Sequence, residues 1–317
     1  MKRFIGKILL FGVFVLLFLL LGISRITTRW QGDYMFALID KFENLKTEKS
    51  PKIVFVGGSN LAFGMDSETV SEYYDMPVIN MGLHAGIGLR FLLEGIKPYM
   101  KKNDILVIIP EYGHFYDIFL GTGATLTEVL CSVYPQGFRY LTFKQFIMML
   151  SEFPRYSIEN MYNAYIQGYA FQKHKYKIYA RSSFNSYGDA TAHWDESSYI
   201  DYQLKERKVR PIDAKMMKDL EKYILYYQSQ GVEVVILPPA IVNTVAQSIK
   251  GEIQQVTETL AKNDNRAYQY FYPERYSLPD SLGYDTRYHF IKPGIDIRVQ
   301  YLIEDLNLFL KDNYAVK

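Results

Sequence analysis

The chain has one cysteine, Cys131, among 317 residues. An internal disulfide is therefore excluded, and a cysteine-based metal site is disfavoured. The histidines and carboxylates fall at no compact ligand spacing, so no metal is expected. The formal net charge is +2 and no lysine-arginine run stands out. That balance leaves no footprint for a phosphate backbone, and no nucleic-acid partner is expected. Repeats and low-complexity tracts are also missing. What remains is a chain long enough for one large domain or two small ones with a real core.

The longest uncharged run lies at the amino terminus. Between Phe4 and Ile23 the only charge is Lys7. About 20 apolar residues make roughly 30 Å of helix, enough to cross a bilayer. A cleaved signal peptide is the alternative. Against it, the run is long, and Gly22-Ile23-Ser24-Arg25-Ile26-Thr27-Thr28 offers no clear small-x-small cleavage site. No cysteine stands here for lipidation. Lys2, Arg3 and Lys7 precede the span, which favours a cytoplasmic amino terminus, although Arg25 and Arg29 dilute the bias. The expected organisation is an uncleaved anchor over residues 1–28, an amphipathic stalk over 29–50, and a domain over 51–317 on the extracytoplasmic side.

That domain opens on Ile53-Val54-Phe55-Val56-Gly57-Gly58-Ser59-Asn60. Four apolar residues predict a short buried strand, and the glycines and serine after it predict a turn. Asp66-Ser67-Glu68 reads as a helix start. A serine at the carboxyl end of a parallel strand stands where open α/β sheets bind their ligands. Strand and helix signals then alternate. Further strands are expected at Val78-Ile79-Asn80, across 104–110, across 232–239 and near 268–272, with helices over 211–230, 244–262 and 293–311. This alternation predicts a three-layer αβα domain on a mostly parallel, five-stranded, flavodoxin-like sheet. Residues 113–210 break the rhythm. They are rich in Tyr and Phe, with helical spacing over 143–151 and 158–173. They are expected to form a helical insertion, either a lid or acceptor-binding subdomain at the catalytic edge or an extra helical layer. The chain holds 28 Tyr and 20 Phe; tyrosine suits sugar-binding surfaces and equally suits half-buried strands and interfaces.

Nucleophilic acyl chemistry needs a serine, a base, a group to orient the base, and oxyanion donors. Ser59 supplies the first. His289 follows Asp285 by four residues on one loop near the end of the chain. First and last units of a doubly wound sheet can converge at its carboxyl edge. The glycines after the second strand offer backbone N–H groups there.

These blocks carry a resemblance. Gly57-Gly58-Ser59-Asn60, Asn80-Met81-Gly82-Leu83-His84-Ala85-Gly86 and Asp285-Thr286-Arg287-Tyr288-His289 resemble the first, second and last blocks of the SGNH (GDSL-like) hydrolase superfamily. Pro110-Glu111-Tyr112, the run from Arg181 to Asp189, and Tyr288-His289-Phe290 with Gly294 and Arg298 resemble a membrane-anchored group associated with bacterial surface polysaccharides. The resemblance implies Ser59 as nucleophile, His289 as base and Asp285 as its orienter. It implies an oxyanion hole from the N–H of Ser59 and that of Gly82 or Gly86. It calls for no cofactor. Two features depart from the family. The usual glycine with Asn-Asp after the third strand is replaced by Pro110-Glu111-Tyr112-Gly113-His114, leaving Asn60 or Asn185 as candidate side-chain donors. The aspartate also precedes the histidine by four residues rather than three, so the loop must bulge or Asp285 is not the partner.

The implied activity is a membrane-anchored, serine-dependent acyl esterase or O-acyltransferase on an acylated surface glycan. A multi-spanning membrane acyltransferase is an implied partner, and membrane lipid contacts the anchor. The alternative is a catalytically inactive relative that binds glycan or assists assembly of an acylation system. A simple lipid or small-ester hydrolase is disfavoured by the Tyr-rich insertion. Of the remaining histidines, His84 is a candidate to face the site. Glu111 and His114 face the same edge as either catalytic groups or a salt link. His193 is a candidate acceptor-site residue, and His174, among lysines, is expected in solvent.

Overall fold

The computed structural model describes residues 1–22, 31–164, 177–198, 209–268 and 273–311. Three runs become buried strands: β1 (Ile53–Gly57), β2 (Val78–Asn80) and β3 (Ile105–Ile109), every residue buried. With β4 (Glu233–Ile236) they form a sheet of order β2-β1-β3-β4 in which every pairing is parallel. Residues apolar on both faces are what an interior parallel strand requires. The register aligns Gly57 with Ile109, so the residues after β1 and β3 leave the sheet side by side.

Helices α4 (Ser67–Tyr74) and α5 (Leu89–Ile96) make crossovers that run in opposite directions along the sheet. Right-handed crossovers therefore place them on opposite faces. Helix α8 (Ala214–Ser229) packs on α5, with the Tyr223 hydroxyl donating to Glu94 Oε2 at 2.6 Å. The closing helix α11 (Lys292–Lys311) packs on α4, where the Tyr74 hydroxyl donates to the Ile303 carbonyl at 3.2 Å. Helix α8 buries Leu220, Ile224 and Tyr227, which its spacing sets on one side.

Several expectations change. Among the described residues the main sheet has four strands where five were expected: Tyr268, where the fifth was placed, makes an isolated parallel bridge to Ile236, and residues 269–272 lie outside the described residues. The helix expected over 244–262 is broken at Ile249 into α9 (Asn243–Ser248) and α10 (Lys250–Ala261), and a separate parallel pair, β5 (Ile241–Val242) with β6 (Ser277–Leu278), adjoins it. The expected stalk is not a stalk where it is described. Its residues form a 3₁₀ turn and α2 (Ala37–Thr47), which bury Met35, Phe36, Leu38, Phe42 and Leu45 in the main core. In the insertion, α6 (Gly123–Glu128) packs on α7 (Phe143–Tyr162), which runs through Pro154 and joins the two expected helical stretches as far as Tyr162. The rest of the second stretch, with His174, lies outside the described residues. Helix α1 (Lys2–Leu21) is long and apolar enough to cross a membrane, and none of its residues is buried.

Candidate active site

The chain leaves β1 toward β2 on one side and later returns to β3 on the other. The crevice between the carboxyl ends of β1 and β3 is therefore the topological switch point, where open α/β sheets take ligands. Ser59 follows β1 as the first residue of the short helix α3 (Ser59–Ala62), and Glu111 follows β3. The two meet: Ser59 Oγ donates to Glu111 Oε1 at 3.3 Å, and the Asn60 N–H donates to the same oxygen at 3.2 Å. A side chain at Gly58 would not permit this. A Cβ there would stand 2.3 Å from Glu111 Oε1 and 3.0 Å from the Ala85 methyl. Glu111 is buried, and burial, opposed by the Asn60 N–H and the His289 charge, lifts its pKa above the ordinary carboxylate range.

His289 reaches the same crevice from the other end of the chain. Gly283 and Phe290 bridge antiparallel, and the Tyr284 N–H donates to the His289 carbonyl at 2.8 Å. The enclosed loop docks on the Ser59 segment through the Phe290 N–H to the Phe63 carbonyl at 3.1 Å. Within it His289 Nδ1 lies 2.7 Å from Asp285 Oδ1, so the four-residue spacing is accommodated by a bulge and Asp285 is the partner. The Tyr179 hydroxyl donates to the other Asp285 oxygen and lies 3.3 Å from Nδ1. Burial works against charge on Asp285, but the His289 and Tyr179 hydrogen bonds outweigh it and hold its pKa below the ordinary range. Phe63 stacks on the imidazole, with ring centroids 4.4 Å apart. His289 Nε2 is buried and, among the described residues, has no hydrogen-bond partner. Ser59 and His289 line one cleft of about 500 Å³ with Tyr34, His84, Tyr179, Arg210 and Arg287. The serine hydroxyl rests on Glu111, not on the imidazole.

The expected oxyanion donors do not stand free. The Gly82 N–H donates to Asn80 Oδ1 at 2.9 Å and the Gly86 N–H to His84 Nδ1 at 3.0 Å. Asn60 turns its side chain inward, accepting from the Gly58 N–H at 2.9 Å and donating to the Ile109 carbonyl at 3.2 Å. Asn185 Oδ1 accepts from the N–H groups of Tyr187 and Asp189 at 3.1 and 2.9 Å. The Gly82 and Gly86 N–H groups and both ends of the Asn60 amide are thus engaged within the chain, whereas Asn185 commits only its side-chain oxygen; none of the four lines the cleft. The Ser59 N–H, first in its helix, has no intrahelical acceptor.

The Arg181-to-Asp189 block is a clasp beneath the site. Buried Asp189 accepts from the Ser67 N–H and hydroxyl, each at 2.7 Å, and from Asn80 Nδ2 at 2.7 Å. His193 is likewise structural. Its Nε2 lies 3.2 Å from the Phe63 carbonyl and 3.0 Å from the Phe290 carbonyl, so this nitrogen carries the proton and ties the serine and histidine segments together. Burial drops its pKa to about 4. His114 is buried against the backbone of Ala85 and Glu111, its pKa also lowered to about 4, and among the described residues no ion pair joins it to the Glu111 carboxylate. His84 does line the cleft, its pKa lowered by burial and by His289. Sequence reasoning missed Tyr179 and Phe63, which no spacing marks as partners of His289. Among the described residues no group of three or more His, Cys, Asp or Glu is placed to hold a metal. No family model, curated protein or solved structure matches the chain.

Proposed function

We propose that the protein is a membrane-anchored, serine-dependent acyl esterase or O-acyltransferase with Ser59 as nucleophile and His289 as base. One observation carries this reading: an Asp285-oriented imidazole with a bare Nε2 lines the same switch-point cleft as Ser59. In the reaction Ser59 Oγ bonds to the acyl carbon and its proton passes to His289 Nε2. The tetrahedral intermediate then expels the sugar oxygen, which takes that proton from the imidazolium and leaves an acyl-Ser59 ester. Water or a second sugar hydroxyl next attacks the ester, with His289 again taking and returning the proton. Water gives hydrolysis and the hydroxyl gives transfer.

A glycan is the class of substrate supported by the resemblance and by the cleft wall, where Tyr34, Tyr112, Tyr116 and Tyr179 stand with Arg210 and Arg287. The apolar α1, preceded or interrupted only by basic residues, supports an uncleaved anchor with the domain outside the cytoplasmic membrane. A serine-directed phosphonate should label Ser59 and fail on Ser59→Ala and His289→Ala, and the double variant should lose little more activity than either single one. Labelling that survives Ser59→Ala would overturn the assignment.

A second reading is favoured by the Ser59–Glu111 contact and the occupied Gly82 and Gly86 N–H groups: a non-catalytic glycan-binding or assembly partner on the same fold. It requires no labelling, and glycan acylation in cells that survives Ser59→Ala.

A further inference from the structure

Helix α7 does not line the cleft, and its surface falls into three sectors. At 100° per residue, Gln145, Met149 and Asn160 point into the protein and are buried; Ser157 is buried as well, where the end of α1 meets the helix. Next to them an apolar arc of roughly 120° carries Phe143, Phe146, Ile147, Leu150, Pro154 and Ile158, all exposed. The five large side chains of this arc are between 39 % and 80 % exposed, far above what an ordinary surface helix shows in one row. Beyond the arc lies a polar strip of Lys144, Ser151, Arg155 and Glu159, also exposed, with Arg155 and Glu159 ion-paired at 2.8 Å. The helix is thus buried, apolar and polar in three sectors. The first packs on α6 and the core; the second meets the end of α1 at Ser157, and its large side chains stay exposed.

The neighbour of the second sector is the end of the apolar helix α1. Asn160 Nδ2 donates to the Gly22 carbonyl at 3.1 Å, and a Cβ on Gly22 would lie 2.5 Å from Ser157 Cα. Only a glycine lets the two backbones approach so closely. The place where α1 ends is therefore the place where the apolar arc of α7 begins.

We propose that α7 is an interfacial helix that lays this arc into the bilayer surface beside the end of α1, so that the domain is held against the membrane in a fixed orientation. This rests on the anchor reading of α1. An apolar face bordered by charged residues, about 23 Å long, is the pattern of a helix seated some 5–10 Å into the headgroup and acyl boundary. Continuity with α1 selects lipid over other occupants: a bilayer reached at Gly22 passes alongside Ile158 and Leu150.

The test uses the full chain in vesicles of phosphatidylcholine and phosphatidylglycerol, on a Cys131→Ser background. Nitroxide labels are placed through Phe146→Cys, Ile147→Cys, Leu150→Cys and Ile158→Cys. A second set uses Lys144→Cys, Ser151→Cys, Arg155→Cys and Glu159→Cys. Phe14→Cys in α1 reports the anchor separately, and thermal unfolding confirms that each variant is folded. Collisions with oxygen, which concentrates in lipid, should dominate in the first set, and collisions with a water-soluble nickel chelate in the second. The preference should alternate with the helical period. If Phe14→Cys reads lipid and both sets read water, the anchor stands and the proposal for α7 falls. If Phe14→Cys reads water, both fall. Labels in the first set shielded from both reagents and spin-coupled between molecules would show a second copy on this face, which also overturns it.

Discussion

Glu111 is the residue by which the two functional readings can be separated, and Glu111→Gln is the perturbation that does so. Its Oε1 lies 3.3 Å from Ser59 Oγ and 3.2 Å from the Asn60 nitrogen. Consider the case in which the negative oxygen formed when Ser59 attacks an ester carbonyl stands about 4 Å from that carboxylate. Two unit charges at that distance repel by about 4 kcal/mol at an effective dielectric of 20, which is roughly a thousandfold in rate. Glutamine keeps the shape, removes the charge and offers an amide donor in its place, and one such donor is worth about 10²–10³ elsewhere. Part of this gain is lost because burial already favours the neutral acid at Glu111. We expect Glu111→Gln to raise the acyl-transfer rate by about 10²-fold at the alkaline end of the range, where the carboxyl is most ionised. The gain should shrink as pH falls, because the raised pKa of Glu111 lets wild type approach the neutral form first. Initial rates on a chromogenic acetyl ester and acetate release from an acetylated glycan, from pH 5 to 9, measure it. A fall in rate in a folded Glu111→Gln variant would refute the reasoning, since the carboxylate would then be the group that receives or positions the Ser59 proton. An unchanged rate at every pH would refute it too.

The Asp285–His289 pair should be catalytic rather than ornamental. Asp285→Asn should cost about 10³–10⁴ in turnover through the wrong imidazole tautomer, whereas Tyr179→Phe should weaken the pair by only about 0.5–1.5 kcal/mol; equal losses would put the orienting role on Tyr179. Stability should fall in acid. His114 and His193 titrate near 4 in the folded chain and near 6.5 unfolded, so the unfolded state binds more protons between those values. Each contributes up to about 3 kcal/mol that is present above pH 6.5 and lost as pH falls toward 4, and a urea midpoint flat over that window would exclude it. Buried Arg298 donates through Nη1 to the carbonyls of Asn60 and Gly64 and so holds the serine segment. Arg298→Met should destabilise the fold by about 2–4 kcal/mol, read as a lower urea midpoint; a loss below about 0.5 kcal/mol would remove that role.

The strands were legible because burial on both faces leaves no freedom: Ile53 to Val56 and Ile105 to Ile109 admit only apolar residues, and each is a strand. The segment before them was not. Lys41, on a stretch that reads as amphipathic, suggests solvent, yet it is buried. Its ammonium donates to the Asn80 carbonyl at 2.8 Å and to the Gly188 carbonyl, and lies 4.9 Å from the Phe184 ring centre. Burial brings its pKa down to about 7. Those partners lie 39 and 147 residues away in the chain, and local periodicity carries no trace of such capture.

The same division governs the site. Ser59 and His289 could be placed because strand ends and loop positions follow from topology, and topology follows from the alternation of elements. Which polar groups point into the cleft is another matter. Asn60, Gly82 and Gly86 are donors by type, but such residues commit their hydrogen-bonding capacity to the local backbone before any ligand arrives. Glu111 shows the converse. As a side chain that follows a parallel strand it reads either as a catalytic group or as a salt-link candidate with His114 as its partner. The register of β1 against β3 decides otherwise, because aligning Gly57 with Ile109 sets Glu111 beside Ser59 and leaves His114 facing backbone. A one-residue slip would exchange the two faces. The chemistry open to this cleft therefore depends on a register that many packed side chains fix together, and on a single carboxyl whose charge that register makes decisive.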